Sequence, residues 1–242
     1  MSFQTDDSSP TGPSRGCAGA GAGAHGRQTS PLGYAAAVSD AATWARWKEQ
    51  TFGSAHEIGR GGLNTGAVTR RRGARRAEAL AMLRLGLTLG DSDAAAALAA
   101  MGDATAAESI RRRLGEVAGA ERVKLALALH ELRPDPSLAA ELVAVLQSRL
   151  SWSERIDAAI GLRSFRGADD EAALLAAVAD PDYLVRYHAC ESLLARWRVR
   201  PAEIARHADI FPLIGGDGPP TAADLERLAE ARARLLARAR QR

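Results

Sequence analysis

The sequence predicts an all-α protein, a right-handed α-solenoid of short helical pairs preceded by a disordered N-terminal tail. Hydrophobic residues make up 46% of the 242 residues but aromatic residues only 5%, so few strong strand formers are present. Between residues 74 and 197, helical patterns of about 10 to 16 residues follow one another, separated by short breaks of Gly, Asp or Pro. One pattern recurs after 33 and then 31 residues, which is typical of a repeat protein.

Residues 1–33 are mostly Gly, Ser, Pro, Thr and Ala, with hardly any large apolar side chain. Such a segment cannot offset the entropy of ordering by burying apolar surface, so we expect it to be disordered. The sequence shows neither a secretory signal nor an apolar run of about 20 residues, which predicts a cytoplasmic protein without a membrane span. Cys17 and Cys190 form neither a disulfide framework nor a metal-ligand pair, which fits a reducing compartment.

Residues 34–73 are expected to lead into the repeats. The spacing of Tyr34, Trp44 and Trp47 predicts a short helix that ends near Phe52. The residues after it are rich in Gly and Arg, so we expect a linker.

Two sets of similar segments alternate in the main body. The first set is Arg122-x-x-Leu125-x-x-x-Leu129, Arg155-x-x-Ala158-x-x-x-Leu162 and Arg186-x-x-Ala189-x-x-x-Leu193. The second set lies between them, at residues 106–110, 139–143 and 173–175. A small residue allows close approach of a neighbouring helix, and the Leu four positions later lies on the same face. Each helical pair would therefore bury its apolar stripe against the next pair, as in an α-solenoid.

The segment Asp180-Pro-Asp-Tyr-Leu-Val-Arg-Tyr-His-Ala-Cys-Glu-Ser-Leu-Leu194 resembles the short HEAT-like repeats that also occur in phycobilisome lyase subunits. The resemblance covers residues 74 to about 197 and implies a HEAT-like repeat domain, to which we assign residues 74–214. It also implies that Asp182 and Arg186 belong to a polar ladder along the repeats. HEAT-like arrays serve as scaffolds, transport receptors, lyase subunits and DNA glycosylases, so the resemblance is specific to the fold alone.

Two segments follow the last repeat helix. Residues 201–214 would supply its partner helix, interrupted by Pro212. Residues 221–242 predict a final helix, because Thr221 is a favourable N-cap, Asp224 lies near the positive end of the helix dipole, and arginines gather at the other end. Its apolar stripe is narrow, so the sequence leaves open whether this helix caps the solenoid or is detached.

The net charge of +3 is unevenly distributed. Residues 1–90 carry 11 basic and 6 acidic side chains (+5), residues 91–200 carry 14 and 17 (−3), and residues 201–242 carry 7 and 6 (+1). We interpret the arginine run from Arg70 to Arg76 as a solvated linker and helix start, with a nonspecific polyanion contact left open. The slightly acidic middle disfavours nucleic acid as a partner.

No motif in the sequence forms a catalytic constellation. The five histidines lack metal-ligand spacing, and no nucleophile elbow of the Gly-x-Ser-x-Gly type is present. Residues 21–26 match a dinucleotide-binding pattern, but they lie in a Gly/Ala tail without a preceding strand. The sequence therefore predicts no catalytic, cofactor-binding or metal-binding residues.

Charged residues on the predicted second helices are candidate partner contacts: Arg111, Arg112, Arg113, Glu141 and Arg149. Their sign alternates along the array, which favours a protein partner with its own charge pattern over a phosphate backbone. The leading hypothesis is a non-catalytic protein-interaction or scaffold module. The alternatives are a HEAT-like enzyme or enzyme subunit, either a bilin lyase-type subunit or an alkylated-base DNA glycosylase-like enzyme, and an auxiliary protein of the immunity type.

Overall fold

The computed structural model of the protein describes residues 31–216 and 218–241. Within these ranges every regular element is a helix, which confirms the all-α prediction. Most of the predicted disordered tail, residues 1–30, lies outside the described residues. In chain order, the α-helices are α1 (Pro31–Phe52), α2 (Ala55–Gly61), α3 (Gly66–Thr69), α4 (Gly73–Thr88), α5 (Ser92–Ala100), α6 (Ala107–Leu114), α7 (Gly119–Leu132), α8 (Ala139–Leu146), α9 (Trp152–Gly161), α10 (Ala168–Ala177), α11 (Tyr183–Arg196) and α12 (Ala222–Ala239).

The N-terminal part of the described chain is more helical than the sequence predicted. Helix α1 begins at Pro31, within the segment expected to be tail. A proline is compatible with a first helical turn, because the first backbone N–H groups of a helix have no intrahelical partner. The expected Gly/Arg-rich linker contains the short helices α2 and α3. A capping box of Ser54 and Glu57 starts α2. The sequence interpretation gave more weight to the glycine content of this segment than to that local capping signal.

Side-chain caps start several of the later helices. Asp91 accepts a hydrogen bond from the backbone N–H two residues later, at the start of α5. Ser151 and Glu154 form a capping box at the start of α9. Thr221 and Asp224 form the same motif at the start of α12, which confirms the predicted N-cap.

The helices from α4 to α11 form two rows. In the first row, α5, α7, α9 and α11 pack side by side in chain order. In the second row, α4 contacts α6, and α8 contacts α10. Each second-row helix also packs on the first-row helix that follows it in the chain: α4 on α5, α6 on α7, α8 on α9, and α10 on α11. The apolar core lies between the two rows.

Small side chains lie at the contacts within the first row. Ala158 of α9 and Ala189 of α11 are fully buried, and Leu125 takes the corresponding position in α7. Leu162 and Leu193, four residues beyond the two alanines, are also fully buried. The helices can approach closely at the alanines, and the leucines fill the adjoining space.

Helix α1 is attached to the two rows of helices through two tryptophans. Trp44 is buried against Gly86 of α4, where an added Cβ atom would lie 2.5 Å from the indole ring. The indole N–H of Trp44 donates a hydrogen bond to Asp91 at 3.1 Å, and Lys48 donates to the same carboxylate at 2.6 Å. Trp47 stacks on Trp44 with ring centroids 5.7 Å apart. Helix α1 therefore shares the apolar core with the two rows of helices.

Arginines of the first-row helices bind carboxylates of neighbouring elements. Arg155 of α9 donates two hydrogen bonds to Asp180, at 2.9 and 3.0 Å, and both side chains are largely buried. Arg122, at the corresponding position of α7, pairs with Glu141 of α8. The bidentate pairing of Arg155 with Asp180 fixes both distance and orientation between α9 and the start of α11. Arg122 contacts a single oxygen of Glu141 and joins α7 to α8.

Asp182 and Arg186, expected in a polar ladder, have separate roles. Arg186 of α11 donates to the backbone carbonyls of Asp180, Pro181 and Ile214, at 2.7, 3.0 and 2.9 Å. Asp182 accepts hydrogen bonds from backbone N–H groups at the start of α11. Arg186 therefore fastens the segment that follows the last helical pair, whereas Asp182 is a helix cap.

The segment after α11 does not form the expected partner helix. It contains two short 3₁₀ turns, Ile204–Arg206 and Phe211–Leu213. Pro212 lacks the N–H donor that a continuous helix needs. Helix α12 packs on α11 and on the second of these turns, and it buries Leu228 and Leu235. The last helix therefore covers the end of the array rather than being detached.

Ala158→Asp and Ala189→Asp should each lower the free energy of unfolding by about 3 kcal/mol or more, because each places an unpaired carboxylate at a closed helix contact. The matched control is Ala172→Asp on α10, where the alanine is exposed and the change should stay below about 0.5 kcal/mol. Urea unfolding followed by circular dichroism measures all three variants. Parent-like stability of both buried variants would show that the first row does not pack through these positions.

Gly86→Ala should destabilise the protein by about 2 kcal/mol, because the new methyl group would overlap the ring of Trp44. An alanine in place of a helical glycine ordinarily stabilises by about 0.5–1 kcal/mol, so the sign of the effect is diagnostic. Gly115→Ala is the control, since an added Cβ there would meet its nearest neighbour at 3.5 Å. Thermal unfolding and tryptophan fluorescence report the result, and a stabilised Gly86 variant would contradict the packing of α1.

Candidate functional site

The three arginines predicted to contact a partner lie in the last turn of α6. Arg111 and Arg112 are exposed, whereas Arg113 is partly buried and pairs with Glu116 at 3.2 Å. Successive helical residues point about 100° apart, so the three guanidinium groups do not converge on one ligand. This helix therefore offers two exposed positive charges rather than an arginine cluster.

The other two predicted contacts lie on or just after α8. Glu141 pairs with Arg122, which ties α7 to α8. Arg149 is exposed and borders an open cleft of about 500 Å³ between the ends of α8 and α10. Within the described residues, no hydrogen bond or ion pair joins Glu141 or Arg149 to the arginines of α6. Glu141 thus has a structural role in addition to any contact with a partner.

A group of partly exposed apolar residues lies at the starts of α9 and α11 and was not singled out from the sequence. Tyr183 and Tyr187 of α11 each contact Phe211, with ring centroids 6.4 Å apart in both pairs. Leu184, beside them, is 40% exposed and Phe211 is 39% exposed. Trp152 is 50% exposed and takes the position in α9 that Tyr183 takes in α11. These five residues are called the aromatic surface below.

The sequence contained only part of the signal for this surface. Tyr183 and Tyr187 are four residues apart, so their shared helix face could have been recognised. Phe211 reaches them only because the 3₁₀ segment after α11 folds back over that helix. That path depends on tertiary contacts, including the hydrogen bond from Arg186 to the carbonyl of Ile214.

Carboxylates border the aromatic surface. Burial raises the pKa of Tyr187, and the nearby carboxylates of Glu191 and Glu203 raise it further. Glu191 also lies 3.2 Å from the Nδ1 atom of His188 and 3.4 Å from a guanidinium nitrogen of Arg163. The guanidinium of Arg186 lies 5.9 Å from the ring centroid of Tyr183, so the charges around the rings have both signs.

Side chains that could carry chemistry have structural roles. Cys190 is buried in α11, and burial raises the pKa of its thiol to about 12, so it is not a thiolate at neutral pH. The Nδ1 atom of His130 lies 3.0 Å from the backbone nitrogen of Asp135, and its ring packs on Phe165 with centroids 4.3 Å apart. Across the part of the chain that the structure describes, no three His, Cys, Asp or Glu side chains are grouped as metal ligands.

Comparisons with protein-family models, with curated proteins and with solved structures found no match to this chain. Among the helices of the described ranges, none is both long and apolar enough to cross a lipid bilayer. The physical properties of the surface are therefore what supports a function for this protein.

Proposed function

We propose that the protein is a non-catalytic interaction module, a HEAT-like α-solenoid whose aromatic surface binds a protein partner. The side-by-side packing of α5, α7, α9 and α11 supports the solenoid arrangement, because repeats of this kind contact mainly their neighbours. The recurring arginines Arg122, Arg155 and Arg186 support it further, since each ties its helix to an adjacent element. The rigid array would hold its exposed side chains in fixed positions for a partner.

The aromatic surface is the observation that carries this proposal. Tyrosine and tryptophan are enriched among the residues that dominate protein–protein binding energies. The rings of Tyr183, Tyr187 and Phe211 are held by edge contacts with one another, so they lose little conformational entropy when a partner binds. Exposed Leu184 adds apolar area beside the rings, and exposed Trp152 takes the equivalent position in the adjacent helix α9.

The charges around this surface define the chemistry of the partner. Glu191 and Glu203 lie close enough to Tyr187 to raise the pKa of its hydroxyl. A phosphate backbone would be repelled there, whereas a lysine or arginine would be attracted. We therefore propose a protein partner that presents an apolar side chain next to a basic one.

A photo-cross-linking amino acid in place of Leu184 should trap one discrete protein in cells, because this position lies within the proposed interface. The matched control position is Leu225 on α12, which is 50% exposed but lies outside the aromatic surface. A third position, Arg112, tests the face formed by the charged residues of α6. Trapping from Arg112 alone would contradict the assignment of the interface to the aromatic surface.

The trapped protein, once identified and purified, should bind the Leu184→Ser/Phe211→Ser variant at least about tenfold more weakly than the parent, measured by calorimetry. Both side chains are partly exposed, so the melting temperature should remain close to that of the parent. Leu225→Ser is the control and should leave the affinity unchanged. Equal affinity for parent and double variant would contradict the proposal.

The full-length protein should not shift a labelled DNA duplex at submicromolar concentration and about 150 mM salt, where a binder that neutralises many phosphates remains detectable. Residues 91–200 carry 14 basic and 17 acidic side chains, so their net charge of −3 opposes a phosphate track along the repeats. Electrophoretic mobility measures the outcome. A shift that requires Arg111, Arg112 and Arg113 would favour a nucleic-acid enzyme instead.

A further inference from the structure

A second feature lies in the N-terminal part of the described chain, between α3 and the start of α4. An open cleft of about 680 Å³ is lined by Ala67, Arg70, Arg71, Arg72, Arg75 and Glu78. Four of its six lining side chains are guanidinium groups, and it is called the arginine cleft below. It lies on helices that do not contribute to the aromatic surface, so the two features can be tested independently.

The arginines of this cleft are not neutralised by neighbouring carboxylates. Several other arginines pair with a carboxylate, as Arg155 does with Asp180 at 2.9 Å and Arg84 with Asp103 at 2.7 Å. Within the described residues, by contrast, no carboxylate oxygen lies within 4.0 Å of a guanidinium nitrogen of Arg70, Arg71, Arg72 or Arg75. Glu78 lines the cleft without reaching ion-pair distance. The cleft therefore keeps a concentrated positive charge that the fold itself does not use.

Two of these guanidinium groups are held in place by uncharged partners. The Nε–H of Arg71 donates to the carbonyl of Ala67 at 3.1 Å, and its guanidinium lies 5.6 Å from the ring centroid of Trp47. Arg72 donates to the carbonyls of Thr69 and Arg71, at 2.9 and 3.0 Å. Carbonyl and aromatic partners orient an arginine without cancelling its charge, so the positive groups are preorganised for an anion.

The side chains of Arg70 and Arg75 are exposed, and neither side chain has a hydrogen-bond partner among the described residues. An added Cβ at Gly66 would lie 2.9 Å from the Nη1 atom of Arg70. The absence of a side chain at this glycine therefore leaves room for the guanidinium. The two side chains border the same cleft as Arg71 and Arg72. Their unused N–H groups are free to donate to a ligand.

The start of α4 adds to the positive potential. This 16-residue helix begins at Gly73, its N-cap residue Arg72 makes no capping hydrogen bond through its side chain, and its first turn contains no acidic residue. The first N–H groups of such a helix are unpaired and carry a partial positive charge that favours anions. Here that charge reinforces the arginines, whereas at α9 and α12 an acidic residue of a capping box offsets it.

We propose that the arginine cleft binds a small phosphate-bearing anion with at least two negative charges, such as a pyrophosphate group. Guanidinium groups bind phosphate oxygens in bidentate fashion, and several guanidiniums around a cleft match a compact dianion. A long nucleic acid fits less well, because the positive run ends at Glu78 within the first turns of α4.

Isothermal titration calorimetry of the full-length protein with inorganic pyrophosphate, at about 150 mM sodium chloride, tests the proposal. The variant Arg70→Gln/Arg75→Gln should bind pyrophosphate at least about tenfold more weakly than the parent, because each lost guanidinium removes charge-assisted hydrogen bonds. Arg112→Gln/Arg232→Gln is the matched control, since it removes the same charge from two exposed arginines elsewhere. Circular dichroism confirms that all variants remain folded.

Three outcomes would overturn the proposal. The first is no binding of pyrophosphate by the parent at about 1 mM ligand, and the second is an equal loss of affinity in the test and control variants. The third is binding of a labelled DNA duplex that requires Arg70 and Arg75 and that pyrophosphate does not displace, which would assign the cleft to a nucleic acid. Binding of pyrophosphate that is lost only in the test variant would support a phosphate site.

Discussion

The close approach of the first-row helices is the constraint on which the rest of the structure depends. Ala158 of α9 and Ala189 of α11 are fully buried, and small buried side chains allow neighbouring helices to approach closely. The spacing of α9 and α11 in that row sets the distance across which Arg155 of α9 reaches Asp180, in the turn before α11. Larger side chains at these positions would separate the helices, and the largely buried Arg155–Asp180 pair would then be left as unpaired charges. The apolar contact therefore sets the geometry, and the ion pairs make it specific.

Arginine has two distinct roles in this chain, and the immediate environment separates them. Arg155 is largely buried and bound to a carboxylate, so its charge is used within the fold. Arg71 is oriented instead by a carbonyl oxygen and an aromatic ring, which leave its charge available. Arginine pairs can also shift acid equilibria: Arg84 lowers the pKa of Asp103, so this pair stabilises the folded state near neutral pH and loses that contribution as the carboxylate protonates in acid. Composition alone does not distinguish these roles.

The all-α fold and several helix caps could be predicted because their signals are local. Thr221, with Asp224 three residues later, specifies a capping box without reference to the rest of the chain. The role of Glu141 could not be predicted, because its partner Arg122 is 19 residues away and on a different helix. Phe211 was missed for the same physical reason: its contact with Tyr183 requires a fold-back of the chain that no periodicity encodes. Prediction from the sequence therefore failed where side chains of different elements contact each other.

Both proposed binding features lie near the ends of the two-row array, and the packing explains why. A helix within the first row, such as α7, has a neighbour on each side and buries its apolar surface against both. A helix at an end has one unpartnered side, which another segment of the chain must cover. Helix α12 and the turn at Phe211–Leu213 cover α11 only in part, so Tyr187 and Leu184 stay accessible. At the other end, α1 packs on α3 and α4, and Trp47 contacts the guanidinium of Arg71, while Arg70, Arg72 and Arg75 remain exposed. Helices within the two rows are therefore covered on both sides, and the incompletely covered helices at the two ends carry the two surfaces for which binding is proposed.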